Sequence, residues 1–454
     1  MVKFYKPEAK KVSPKHFSVV ISDVDIKGKG IGKKDDVTWF VSGALPGEEV
    51  VVREISRKGN IGEAELISIL TRAPDRQQPA CRYYEKCGGC SLQHMSASQE
   101  LSCKVNGIRR LMNKVFRLDI PEPDRVEGSA KYGYRRSLRL SVQGDRREIH
   151  MGFRQEKNSR IVEIEECPVL KEELSRLIVP LRETLLRLSN FKLIGHLELV
   201  SGDNGAALLV RTINVLPEVD EEVFRDFGNR EKVAVYLQIR HEKGREELFQ
   251  REELKALNPE IPEGGRLWYN DAGVKVFFTP GDFIQINAEM NARMIAAVTD
   301  YLEPTSDDEI WDLFSGAGNF ALALAGKVKH VYGVEVVKNM VSEARLNAET
   351  LGISNAEFIL QDLSDDFAKT VWAKSQVNKV LLDPGRQGAD MVMQHLIRKK
   401  VPKVVYVSCN PLTMIRDLKP LLDNGYIFER WSAFNMFPNT EHVETVVLLS
   451  RDKA

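Results

Sequence analysis

The chain has no apolar run of membrane-spanning length among its 454 residues, so no transmembrane helix is expected. Residues Met1 to His16 are polar and lysine-rich, with no apolar core. No signal peptide is therefore expected, and a cytoplasmic protein with no membrane partner is. No internal repeat or long low-complexity segment occurs, which argues against a repeat architecture. Net charge is also missing: 65 basic and 65 acidic residues cancel. Cysteine is scarce, with six residues, and a reducing cytosol argues against disulfides. The cysteine spacing of radical S-adenosylmethionine enzymes, three then two intervening residues, is absent as well.

What is present is unevenly distributed. The length implies two or three domains. Lys3, Lys6, Lys10, Lys11 and Lys15 face only Glu8, and Arg135, Arg136, Arg139, Arg146, Arg147, Arg154 and Arg160 crowd a second stretch. Basic segments on a neutral whole fit a nucleic-acid surface; solvated faces are the plain alternative. Tyr132 and Tyr134, interleaved with Arg135, Arg136 and Arg139, suggest RNA contacts, with amphipathic strand packing as the alternative.

Phe17–Ile21, Thr38–Val41, Glu49–Arg53 and Ala64–Ile69 read as short strands, with Gly28, Gly30 and Gly32 breaking the chain between the first two. Four or five strands in so few residues predict a small OB-like barrel, a fold that often binds single-stranded nucleic acid. A middle region mixes strands with helices over 99–116 and 170–188 and a hairpin at Asp203-Asn204-Gly205. From about Leu267 strands alternate with helices: 310–314, 330–335, 356–361, 379–383, 404–408 and 445–450. That is the pattern of a doubly wound, Rossmann-like sheet. The whole reads as a multidomain α/β protein with domains at 1–72, 73–265 and 266–454.

Asp312-Leu313-Phe314-Ser315-Gly316-Ala317-Gly318-Asn319-Phe320 follows the first strand of that sheet. Its glycines permit a tight turn and close approach to a ligand, and Glu335 ends the next strand, where an acid binds ribose hydroxyls. A nicotinamide dehydrogenase is compatible with this loop alone. Later strand ends instead carry reactive groups: Asp362, Asp383-Pro384-Gly385-Arg386 and Cys409. Together with nucleic-acid modules upstream, they favour S-adenosylmethionine. Cys409 emerges from Val404-Val405-Tyr406-Val407-Ser408 into an Asn410-Pro411 turn, and Glu444 precedes the last strand. A thiolate and a carboxylate beside a methyl donor suit C5 of uracil. Thiolate addition to C6 makes C5 nucleophilic, and a base then removes the C5 proton. Inert packing is the ordinary reading of a lone cysteine.

Cys81-x5-Cys87-x2-Cys90, with Cys167 before Pro168, has ligand-like spacing. Four thiolates suit either zinc or a [4Fe–4S] cluster, and spacing does not choose between them. Cys103 is left over on a helix and reads as structural.

The runs Phe283-Ile284-Gln285-Ile286-Asn287, Asp312–Phe320, Leu382-Asp383-Pro384-x-Arg386, Val407–Pro411 and His442-Val443-Glu444 resemble motifs of the RNA uracil-5-methyltransferase family. The resemblance extends to the N-terminus, where the barrel resembles a TRAM domain, and is strongest to members that methylate 23S ribosomal RNA. It implies Cys409 as nucleophile and Glu444 as base. Gln285, Phe314, Asn319, Glu335, Asp362 and Asp383 would line the S-adenosylmethionine and uracil sites. Cys81, Cys87, Cys90 and Cys167 would hold a [4Fe–4S] cluster in the central α+β domain. It implies an RNA partner, no DNA and a monomer. Ser315, Gly385 and Asp362 depart from residues common in the family. Transfer-RNA methylation is the nearest alternative, set aside because transfer-RNA relatives are expected to lack the barrel and the cysteine cluster. A non-catalytic ribosome-assembly factor is a further one.

Overall fold

The computed structural model describes residues 16–144, 148–155, 158–239, 254–262 and 265–451. The N-terminal lysines, Arg146 and Arg147 lie outside them. Two units are distinguished. One comprises the residues up to Tyr84 with Cys90–Leu111 and Asn439–Glu441; the other comprises Glu85–Gly89, Met112–Pro438 and the residues from His442. No helix among the described residues is long and apolar enough to cross a membrane.

The first unit is built on a closed barrel of β1 (His16–Val24), β2 (Gly30–Lys34), β3 (Val37–Val41), β4 (Glu49–Lys58) and β5 (Ile61–Thr71), in the order β1-β2-β3-β5-β4. Alternating residues Val19, Ile21, Val37, Trp39, Val41, Val50 and Val52 fill it, as a period of two requires. The expected glycine break is half right. Gly28, at φ +77°, makes the turn, but Gly30 and Gly32 belong to β2. A Cβ on Gly32 would lie 2.5 Å from the Val20 carbonyl oxygen, so only glycine lets the two strands approach there.

The second unit contains two large sheets. Its first strand, β6 (Arg125–Gly128), is an edge of the larger one. The seven-stranded sheet comprises β7 (Ser137–Gly144), β8 (Ile149–Arg154), β9 (Ile161–Glu163), β10 (Ile194–Gly202), β11 (Gly205–Thr212), β12 (Val233–Ile239) and β13 (Leu254–Ala256), ordered β13-β12-β11-β10-β7-β8-β9. Gly202 pairs with Gly205 across the expected hairpin. The single helix expected over 170–188 is two, Glu172–Ser175 and Ile178–Leu186. Pro180 lacks an amide hydrogen and is best accommodated in a first turn, where the longer helix places it.

A two-stranded ribbon, β14 (Leu267–Asp271) and β15 (Val274–Phe278), leads to helix Ala288–Leu302. The eight-stranded sheet then adds β16 (Glu309–Leu313), β17 (His330–Glu335), β18 (Ala356–Leu360), β19 (Lys379–Leu382), β20 (Lys403–Ser408), β21 (Ile427–Asn435) and β22 (Glu444–Ser450). Their order is β18-β17-β16-β19-β20-β22-β21-β6. Strands β16 to β20 run parallel, and β22 returns antiparallel to β20. Val404, Val405, Tyr406 and Val407 are all fully buried, because helices cover both faces of a parallel sheet. Sequence reading missed β21 and β6. The second is four residues with no apolar alternation, held by parallel pairing to β21.

Candidate active site

The loop after β16 begins with Phe314 at φ +66°, a left-handed conformation that costs a non-glycine residue on the order of 1–3 kcal/mol. Its amide donates to the Val334 carbonyl at 2.9 Å, which offsets that cost. Gly316 and Gly318 also have positive φ. The Glu335 carboxylate accepts from the amides of Gly316 (3.1 Å), Val336 (2.9 Å) and Val337 (2.8 Å). It therefore fastens the glycine loop to the end of β17. Asp362, just past β18, accepts from the amide and hydroxyl of Ser364 at 2.8 and 2.7 Å, closing its own turn. Gln285 precedes helix Ala288–Leu302, whose N-cap Asn287 accepts from the Met290 amide.

Cys409, Glu444 and Asp383 meet on the same rim through strand register. Ser408 pairs with Thr445 across β20 and β22, so Cys409 and Glu444 occupy the next rung. Leu382 pairs with Tyr406, which puts Asp383 one residue beyond that pair. Burial, then the Glu444 and Asp383 carboxylates, push the Cys409 thiol up to about 11, while the Arg386 guanidinium pulls it down. Burial raises Asp383 to about 7. Burial, and next the Asp383 charge, hold Glu444 well above the usual carboxylate range, again opposed by Arg386. Three acids thus sit against one cation, and the free site keeps its thiol protonated at neutral pH.

Along the sequence Arg386 is only part of a motif; its role as this cation appears in three dimensions. Its carbonyl accepts from Asn410 Nδ2 at 3.1 Å, and Nη2 lies 3.4 Å from His442 Nε2. Asp312 was likewise passed over. It is fully buried in β16, and its Oδ2 accepts from the Ala321 amide at 2.8 Å. Burial keeps its carboxyl far above the usual range, with the Asp383 charge adding to the shift.

Two of the expected RNA contacts are corrected. Tyr134 is buried, with its hydroxyl donating to the Pro438 carbonyl at 3.0 Å. Arg136 is 1% exposed and forks onto Asp271. Their alternation with apolar residues marked strand packing, the alternative weighed above. Arg139 is on the surface, 57% exposed, and pairs with Glu198.

Cys81, Cys87, Cys90 and Cys167 are each partly buried. The Gly89 amide donates to Cys87 Sγ at 3.4 Å, an interaction that suits a thiolate ligand. Burial pushes Cys103 up to about 11, in keeping with a structural thiol.

A doubly wound sheet with a glycine loop after β16, and a thiol and carboxyl on one rim, defines a methyltransferase-like fold. The chain belongs to the tRNA (uracil-5-)-methyltransferase family, whose model matches residues 97–452. It is 37% identical to the 23S rRNA (uracil(1939)-C(5))-methyltransferase RlmD of Vibrio campbellii, over 99% of this chain and 100% of that protein. The RlmD of Pectobacterium atrosepticum is also 37% identical, over 100% of this chain and 98% of its own. Among solved structures, the Pyrococcus abyssi tRNA (uracil-54, C5)-methyltransferase in complex with S-adenosyl-L-homocysteine shares the fold. Its TM-score is 0.71 at 24% identity, covering 95% of this chain and 100% of that one. That tRNA enzyme thus shares the fold over nearly the whole of this chain.

Proposed function

We propose that this protein methylates C5 of a uridine in 23S ribosomal RNA, with S-adenosylmethionine as donor, through a covalent bond between Cys409 and C6. The observation that carries the RNA assignment is 37% identity over the full length, barrel included, to relatives named for 23S rRNA. S-adenosylmethionine supplies an electrophilic methyl on a cationic sulfur, and that charge favours the ionised forms of the three acids. The glycine loop, Gln285, Phe314, Asn319, Glu335 and Asp362 form its side of the rim.

The target base must leave its stack to reach the rim. Cys409 passes its proton to the Asp383 carboxylate and bonds to C6, and the C5=C6 electrons move to C5 and O4. Arg386 stabilises the thiolate as it forms. C5 then takes the methyl as the methyl–sulfur bond breaks and S-adenosylhomocysteine is left with its electrons, and Glu444 removes the C5 proton. The C5–H electrons restore the double bond, and the Cys409 sulfur leaves with the electrons of its bond to C6. Asp383, whose charge bears on both Cys409 and Glu444, orients the base. The test is methyl transfer from labelled S-adenosylmethionine to 23S ribosomal RNA and to transfer RNA, with the labelled nucleotide mapped. Label in 23S RNA is expected; label confined to transfer RNA would reassign the substrate.

Cys81, Cys87, Cys90 and Cys167 carry a [4Fe–4S] cluster in this reading, supported by the thiolate-only donor set and the Gly89 amide on Cys87. Anaerobically purified protein should hold about four irons per chain with thiolate-to-iron absorbance near the visible edge. Cys87→Ser should lose both. One zinc and no iron would replace the cluster by a zinc site.

A further inference from the structure

Arg136 stands at the entry to β7, in a stretch bonded on both sides. Gly133 and Arg135 amides donate to the carbonyls of Pro168 and Val169 at 2.9 and 3.1 Å, and the Arg136 amide donates to Ile286 at 3.0 Å. The Arg136 side chain continues the pattern. Nε donates to the Gln285 carbonyl at 2.6 Å, Nη1 to Asp271 Oδ1 at 3.2 Å and Nη2 to Asp271 Oδ2 at 2.8 Å. Its guanidinium lies over the Tyr269 ring, 4.3 Å from the centroid.

Asp271 Oδ2 also accepts from Asn291 Nδ2 at 2.7 Å. Asn291 and Asn319 then exchange two amide hydrogen bonds, 2.9 and 3.0 Å. Arg136, Asp271 and Asn291 are all buried, at 1%, 4% and 0% exposure. A buried ion pair adds little net stability, because desolvating both ions offsets their attraction. What the fork does supply is polarity. Paired with Arg136, Asp271 is an anion and only accepts. Asn291 must therefore turn its nitrogen, not its oxygen, toward it. With that amide set, Asn319 must donate one N–H back to Asn291 Oδ1. Its second N–H and one oxygen lone pair are then presented in a single orientation on the glycine loop.

We propose that Arg136, Asp271 and Asn291 are positioning residues for the cofactor: the buried charge pair sets which way the Asn319 amide faces, and the same guanidinium holds the Gln285 main chain. Cofactor affinity is thereby controlled from residues that touch neither cofactor nor RNA. This rests on the reading that Gln285 and Asn319 face S-adenosylmethionine.

The experiment is calorimetry of S-adenosylhomocysteine with Asn291→Ala and with the isosteric Asn291→Asp, beside Gln285→Ala. Steady-state kinetics and melting curves accompany it. Both Asn291 variants should raise Kd about tenfold, equivalent to ~1.4 kcal/mol. KM for S-adenosylmethionine should rise in proportion, with kcat at saturating cofactor within about twofold. Should Asn291→Ala fold poorly, Asn291→Ser keeps a small polar group and carries the same expectation. Unchanged Kd in the Asn291 variants, with Gln285→Ala weakened, overturns the relay. So does a fall in kcat and melting temperature at constant KM, the mark of a purely structural role. Unchanged Kd in Gln285→Ala as well removes the cofactor-site reading, and the relay with it.

Discussion

Cys409→Ala lowers methyl transfer by on the order of 10⁴-fold or more, because C5 of uracil is then no longer made nucleophilic. The variant should still bind S-adenosylhomocysteine and RNA, since the alanine removes one thiol from a rim whose backbone is set by β20 and β22 pairing. With RNA containing 5-fluorouridine, wild-type protein should form an adduct that survives denaturing electrophoresis, because fluorine does not leave as a cation. Cys409→Ala should form none. The thiol's elevated pKa, about 11 from burial and the two carboxylates, sharpens this expectation. Alkylation of free Cys409 should be slow at pH 7 and accelerate as pH rises toward 11, since only the thiolate reacts. Turnover above about a tenth of wild type in Cys409→Ala would remove the covalent mechanism, given how large a nucleophile's loss ordinarily is.

The second large effect falls on the base. Glu444→Gln keeps shape and hydrogen-bonding capacity but accepts no proton. Attack and methyl transfer use other groups, so the reaction should proceed through them and stop with the methylated base still joined to Cys409. Turnover should fall on the order of 10²–10⁴-fold, while ordinary, unfluorinated RNA becomes trapped on the protein. Single-turnover assays should find label in the protein–RNA adduct and little in free RNA. Slow turnover without any adduct would mean Glu444 acts before or during attack, and Asp383, raised to about 7 by burial, would become the group to test as base. A fall in adduct formation itself would point the same way.

Much of this site was legible along the chain because short-range rules govern it. A glycine loop after one strand, an acid at the end of the next and a cysteine after a buried apolar run are each local signatures. The same local reading explains what went astray. For Tyr134 and Arg136 the sequence leaves RNA contact and strand packing open, because a basic-aromatic stretch looks alike whether it meets RNA or a buried carboxylate. Asp271, Arg136's partner, is 135 residues away, and nothing near either residue signals the pairing. Strand β6 was invisible because its four residues are held by β21, some three hundred positions later.

The sequence by itself determined the alternation of strands and helices from about Leu267 on, the candidate thiol and carboxyl, and the family, since these depend on periodicity and on motifs read within about ten residues. Tertiary structure alone decided which charges face Cys409, that Arg386 is the cation opposing two carboxylates, and that Arg136 is buried scaffolding. Burial and long-range pairing set those properties, and both arise only when strands distant in the chain share a sheet and exclude water between them.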